Sequence, residues 1–177
     1  MSGSVGDNTA RASGVIAAAG GGKLLQVGSA VLTATQVISS TSAADITDLS
    51  VAITPSSASS KLWVTGMVCI NRYYDVCFIK LQRDIGGAGY ADSAFIGDAA
   101  GSRNQCVQFL NMGDWQGMTA TFNYLDTTNT TSEVTYKVVG WTHGSAYPLY
   151  INRTRQDTDS DSYGRGASSI TVMEIGA

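Results

Sequence analysis

The chain has 177 residues and a formal net charge of −3, and 44% of its residues are hydrophobic while 14% are charged. This length and composition suit one domain with a buried core and exclude a disordered polymer. The acidic balance and the lack of any basic block argue against nucleic-acid binding, which depends on neutralising phosphates.

The first 22 residues differ from the rest of the chain. They contain no leucine and no aromatic residue, and they end in three consecutive glycines. Because glycine leaves the backbone free, this composition predicts a flexible or extended arm over residues 1–22, joined to a head over residues 23–177. Fully extended, such an arm would reach about 70 Å. It has neither the pattern of a signal peptide nor an apolar stretch long enough to span a membrane, so we expect no membrane partner.

After the arm, the hydrophobic pattern has a period of two, which predicts β-strands. The segment 84–103 is Gly-rich and is expected to carry one short strand, 126–131 is expected to be a hairpin loop, and 153–166 a charged loop. Nine or ten strands at such spacings are typical of an all-β, antiparallel β-sandwich of the jelly-roll kind. The predicted strands cover residues 23–27, 31–38, 46–53, 61–70, 76–83, 105–110, 117–125, 132–141, 147–152 and 168–177.

The cysteines are Cys69, Cys77 and Cys106. Their number is odd, and their spacing fits no zinc site. Cys69 and Cys77 lie in strands that we expect to be neighbours, where a cross-strand disulfide is geometrically feasible. The favoured interpretation is that all three are buried, small apolar groups.

No segment carries the pattern of a catalytic or metal site. His143 is the one histidine, and no Gly-x-Ser-x-Gly motif accompanies it, so we expect no catalysis through it. The run Asp157–Asp161 begins like a calcium loop, but serines stand where the glycine and the bidentate glutamate would be needed. Flanking arginines can neutralise that run locally. We therefore expect a protein that is not an enzyme and that has no cofactor and no bound metal.

Aromatic residues in predicted loops are the strongest candidates for contacts with a partner. Tyr73 and Tyr74 occupy a tight turn between strands, and Trp115 falls in a later loop. Tyrosine and tryptophan in loops suit stacking on sugars or packing in protein interfaces. The alternative, which the sequence leaves open, is that each ring covers the edge of its own core.

Several strand-and-turn segments together resemble a family of small virion proteins of tailed bacteriophages. The resemblance covers most of the chain except residues 84–118 and extends to the opening segment 4–14, which is similar to virion-attachment segments. It implies jelly-roll heads that form trimers and either decorate capsids or end fibres, and it supplies no catalytic residues. The segments that carry it are Lys23-Leu-Leu-Gln-Val27, Asp48-Leu-Ser-Val-Ala-Ile-Thr-Pro-Ser-Ser-Ala-Ser-Ser-Lys61, Val134-Thr-Tyr-Lys-Val138, Tyr150-Ile-Asn-Arg153 and Ser168-Ser-Ile-Thr-Val-Met-Glu-Ile175.

The resemblance leads to the prediction of a capsid decoration or cement protein, located in the virion and assembled in the cytoplasm of the bacterial host. The head is expected to be a homotrimer, because three arms bind with a higher effective concentration than one. The alternative is a tail-fibre or receptor-binding head that recognises host surface glycan through Tyr73, Tyr74 and Trp115. The arm residues expected to contact the major capsid protein or other virion proteins are Val5, Asp7, Asn8, Arg11, Val15 and Ile16.

Overall fold

A computed structural model describes residues 22–111 and 117–176. This part of the chain consists of strands and loops without a helix, which confirms the all-β prediction, and it therefore offers no helix that could cross a bilayer. Residues 1–21 of the predicted arm lie outside the described residues, and so does Trp115. The strands are β1 (Leu24–Leu32), β2 (Gln36–Ile38), β3 (Ala44–Ile53), β4 (Lys61–Asn71), β5 (Val76–Ile85), β6 (Ala91–Asp92), β7 (Gln108–Asn111), β8 (Gly117–Asp126), β9 (Val134–Thr142), β10 (Leu149–Ile151) and β11 (Ser168–Ile175).

The strands form two antiparallel sheets with the strand order of a jelly roll. The first sheet runs β1-β11-β4-β8, and the second runs β3-β9-β5-β7. Three strands of two or three residues, β2, β6 and β10, extend these sheets at their margins. The eight remaining strands alternate between the two sheets along the chain, except that β5 and β7 are neighbours in the second sheet, and this is the order of two Greek keys.

The core lies between the two sheets and follows from the alternation of side chains along each strand. In β4, for example, Leu62, Val64 and Val68 face inward and are buried, while Trp63 faces outward. At the inward position between them, an added Cβ on Gly66 would lie 2.5 Å from the ring of Phe122. Glycine at this position therefore lets a large ring from β8 pack against the backbone of β4.

The beginning of the head differs from the predicted strands. The sequence predicts separate strands over 23–27 and 31–38, whereas β1 runs unbroken through Gly28, and β2 is a separate short strand. Gly28 does not end the strand because it faces Val51, whose Cγ1 would lie 2.8 Å from an added Cβ. The glycine permits a close approach between β1 and β3 rather than a turn.

Two pairs of strands that were predicted to be neighbours, β8 with β9 and β4 with β5, lie in different sheets. The segment 126–131 is not a hairpin loop, since β8 belongs to the first sheet and β9 to the second. Likewise, Cys69 lies opposite Thr119 in the first sheet, while Cys77 lies in the second sheet and faces the core. The cysteines are free, so no disulfide joins them. Burial is complete for Cys77 alone, and Cys69 and Cys106 are half-buried.

A buried carboxylate holds the two sheets together at one end of the sandwich. Asp126, the last residue of β8, accepts hydrogen bonds from Tyr124 Oη at 2.9 Å and from Tyr136 Oη of the opposite sheet at 2.7 Å. It also forms an ion pair with Arg83 of β5. Burial and the carboxylate raise the pKa of Tyr136, so its phenol stays protonated and keeps donating. The acid therefore acts as a polar link between the sheets.

A second buried acid fixes the end of β11. Glu174 is fully buried and accepts hydrogen bonds from the Ser56 backbone N–H and hydroxyl, both at 2.7 Å, and from Gln26 Nε2 at 2.7 Å. Burial alone would raise the pKa of this carboxyl, but the hydrogen bonds from serine and glutamine outweigh it and lower the pKa to about 2. Glu174 thus ties β1 and β11 to the loop that follows β3.

Candidate interaction surfaces

Three tyrosines meet at one end of the sandwich. Tyr73 packs edge-to-face on Tyr74 and on Tyr147, with ring centroids 5.4 Å apart in both pairs, and Tyr74 and Tyr147 are 6.3 Å apart. The guanidinium of Arg155 lies 3.7 Å from the centre of the Tyr73 ring, within the range of a cation–π contact. We call Tyr73, Tyr74 and Tyr147 the tyrosine cluster.

A buried arginine positions the two loops that carry the tyrosine cluster. The guanidinium of Arg72 is excluded from solvent and donates to the carbonyl of Val76 and to the carbonyl of Gly144, the latter at 3.1 Å. Asp75 lies 3.5 Å away as its counter-ion. Burial lowers the pKa of Arg72, and the nearby carboxylate opposes this effect. Arg72 thus holds the turn of Tyr73 and Tyr74 against the loop of Tyr147.

The tyrosine cluster presents aromatic surface to solvent. The side chain of Tyr74 is 59% exposed and that of Tyr147 is 39% exposed, whereas Tyr73 is half-buried between its neighbours. The sequence left open whether such rings form an exposed contact surface or cover the edge of their own core. Neither alternative holds for all three tyrosines, because Tyr74 and Tyr147 are exposed and Tyr73 is half-buried. Exposed phenol rings offer an apolar face for stacking and a hydroxyl for hydrogen bonding, which suits a saccharide or a protein side chain.

The chain segments on either side of Trp115 end beside the tyrosine turn. Asn111, the last residue of β7, lies opposite Val76, and Gly117, the first residue of β8, lies opposite Asn71. The turn of Tyr73 and Tyr74 runs between those same two partners. The described residues that flank Trp115 therefore lie beside the tyrosine turn, and the role of Trp115 stays a prediction.

The remaining polar candidates from the sequence are occupied by local contacts. The His143 side chain is 68% exposed, and its Nδ1 lies 3.3 Å from a carboxylate oxygen of Asp75. Asp157 pairs with Arg153 at 3.3 Å and with Arg165 at 2.5 Å, as expected of a locally neutralised loop. No group of three acidic, histidine or cysteine side chains in the described ranges is placed to hold a metal ion.

The thiols are held in their protonated form. Burial raises the pKa of Cys77 to about 11 and also raises the pKa values of Cys69 and Cys106. A thiol in this state is a weak nucleophile at neutral pH, because the thiolate is the reactive species. These residues therefore behave as small apolar groups of the fold.

A second exposed surface crosses the outer face of the first sheet. Register places Val27 of β1 opposite Met173, Met173 opposite Trp63, and Trp63 opposite Leu125 of β8. We call these four residues the apolar row. Val27 and Leu125 are each 55% exposed and Trp63 is 47% exposed. The row is bordered by a parallel row of uncharged polar residues, Ser29, Thr171, Thr65 and Asn123.

The two outer faces of the sandwich differ in charge. Among the outward side chains of β1, β11, β4 and β8, only Lys61 is charged, and it lies at one end of β4. The outer face of the second sheet instead carries ion pairs between Lys80 and Asp92 at 3.0 Å and between Lys137 and Asp45 at 2.6 Å. The outer face of the first sheet is thus nearly free of charge, whereas that of the second sheet is not.

Comparison with known proteins supports no conclusion about this chain. No protein-family model matches the sequence, and no curated protein matches it. Among solved structures, the chain is similar to a chain in the structure of infectious bursal disease virus, Gx strain, with a TM-score of 0.36 and 12% identity. The match covers 86% of this chain and 42% of that chain, so this chain spans less than half of its neighbour. A likeness at this distance has no bearing on function.

The structure also adds candidate interaction residues that the sequence did not single out. In the sequence, Arg72 and Arg155 look like charged residues of surface loops. In the structure, Arg72 is buried next to the tyrosine cluster and Arg155 stacks on Tyr73. Trp63 and Leu125 read as alternating residues of ordinary strands, and only the cross-strand register shows that they form one row. The one signal for this row in the sequence was that the outward positions of β1, β11, β4 and β8 lack acidic residues.

Proposed function

We propose that this protein is a structural protein of a bacteriophage virion, a capsid decoration protein that binds the shell through its N-terminal arm and stabilises it. The head is a homotrimer in this proposal, and its role is to bind rather than to catalyse. Because the protein binds the assembled shell, its binding free energy stabilises that state against expansion and against loss of the packaged genome.

The observation that carries the proposal is where the arm joins the jelly roll. β1 pairs with β11 on one side only, so the head begins at the edge of a sheet. Gly22 lies at that edge, where the backbone of Lys23 accepts a hydrogen bond from Gly176 at 2.8 Å. A segment attached at the rim need not disturb the core, which supports the proposal that residues 1–22 contact another protein. Jelly rolls recur in viral capsid domains, which is consistent with this use.

Deletion of residues 2–19 is expected to leave a folded head that no longer binds shells. The measurement is co-sedimentation of the purified protein with phage shells that lack it, together with circular dichroism of the truncated chain. A matched pair of full-length variants separates the arm from the head: Val15→Asp with Ile16→Asp should weaken binding, and Tyr74→Ala should leave it unchanged. Decoration of shells by the truncated chain at the level of the full chain would refute the proposed role of the arm.

A second candidate function is supported by the tyrosine cluster. Exposed Tyr74 and Tyr147, with Arg155 stacked on the adjacent Tyr73, form a surface suited to stacking on a host saccharide, as in a tail-fibre or receptor-binding head. Jelly rolls also include lectin domains. Saccharide binding by the full chain that is lost in Tyr74→Ala would favour this candidate over the first.

A further inference from the structure

We propose that the apolar row, Val27, Met173, Trp63 and Leu125, is the surface through which copies of this chain associate with one another. The inference rests on the proposed function, to which it adds the residues that form the oligomer. The partner is therefore a second copy of this chain and not the shell.

The first argument is the chemistry of the face. A row of four apolar side chains crosses the whole width of the sheet, and the adjacent row consists of hydroxyl and amide groups. Exposed apolar surface of this extent marks an interaction site in a soluble protein. Trp63 lies near the middle of the row, as expected of a central anchor in an interface.

The second argument is charge. The only charged outward side chain on these four strands is Lys61, which already donates to Thr127 Oγ1 at 2.9 Å. A charged partner surface would find no complementary charge there, and its own charges would lose their hydration. A second copy of this face brings an equally neutral surface, so both sides of the interface have matching polarity.

The third argument is the position of the arm. Leu24 lies opposite Ile175, at the end of the same sheet and close to the pair of Val27 and Met173. Gly22, where the arm joins the head, is adjacent to Ile175 and Gly176. If the rows of three copies meet around an axis parallel to the strands, the arms of all copies start at the same end of the oligomer. Arms that begin close together bind one assembly with a high effective concentration.

The test is the mass of the full-length protein in solution, measured by light scattering during gel filtration at micromolar concentration. Wild type is expected to be an oligomer. Trp63→Glu and Leu125→Lys are expected to weaken association at least about 30-fold and to give monomers, because each places a charge in the interface. Phe109→Glu is the matched control, since Phe109 is 68% exposed on the outer face of the second sheet and should leave the oligomer intact.

Circular dichroism and thermal melts establish that the variants are folded. The melting temperature of wild type should rise with protein concentration, and that of the monomeric variants should not. A monomeric wild type, or an oligomer unchanged by both substitutions, would overturn the inference. A monomeric wild type would also remove the homotrimer from the proposed function, but attachment to the shell would stand in either case if the protein still binds shells. A wild-type oligomer that fails to bind shells would instead reject the function and keep the interface. A monomeric wild type whose Trp63→Glu variant alone loses shell binding would assign the face to the shell protein instead.

Discussion

Replacement of Asp126 by alanine is expected to lower the free energy of unfolding by about 3–5 kcal/mol, the usual cost of removing one partner from a buried ion pair. Asp126 is 1% exposed and is the shared acceptor for Arg83, Tyr124 and Tyr136. Its removal leaves two phenol groups and a guanidinium without their acceptor at the junction of the two sheets. Urea unfolding followed by circular dichroism measures the change.

Asp92→Ala is the matched control for this substitution. Asp92 also pairs with a basic residue, Lys80 at 3.0 Å, but the pair lies on the outer face of the second sheet and the Asp92 side chain is 41% exposed. Exposed pairs contribute at most about 1 kcal/mol. Equal losses of stability in the two variants would contradict the role of Asp126 as the link between the sheets. The Tyr136→Phe variant should lose about 1 kcal/mol, since it removes a single hydrogen bond.

Acid is expected to destabilise the head through Glu174. The pKa of this carboxyl is lowered to about 2 in the folded protein, below the ordinary value of about 4.3 for a glutamate. The folded state therefore favours the ionised form, and the resulting stabilisation is fully present above about pH 4.5. It is lost progressively as the pH falls towards 2, because the unfolded chain takes up the proton first.

Glu174→Gln isolates this contribution from the other acids whose pKa values are lowered, Asp75 and Asp92, which are unchanged in the variant. Above pH 4.5 the variant is expected to melt about 4–8 °C lower than wild type, since it loses hydrogen bonds to a charged acceptor. The melting temperatures of the variant and of wild type should converge as the pH approaches 2. A constant difference across this pH range would show that Glu174 does not titrate as described.

The fold class could be predicted because strand alternation is a local property. In β4, apolar residues at every second position predicted a strand over 61–70, and β4 covers Lys61–Asn71. The partners of each strand are set by packing between distant parts of the chain, which the local pattern does not contain. This is why Cys69 and Cys77 were wrongly placed on neighbouring strands, and why the segment after Asp126 was mistaken for a hairpin loop.

The candidate site was predictable only in part, for a related reason. Adjacent aromatic residues in a turn identified Tyr73 and Tyr74, whereas Tyr147 joins them through a contact across 73 positions of sequence. Buried charges such as Arg72 and Glu174 look like surface residues in a sequence, because their burial depends on hydrogen-bond partners contributed by other loops. The apolar row depends on register across four strands and is invisible in any one of them.

We propose above that this protein decorates the phage shell and is attached by its arm. The most direct test of this proposal is an image of the virion at a resolution that shows single heads, recorded for particles with wild-type protein and for particles from which the protein is deleted. We expect extra density on the outer surface of the shell, in clusters of three heads, that disappears on deletion. Density that disappears from the tail or its fibres instead, with an unchanged shell, would refute the proposed decoration role and support a receptor-binding head.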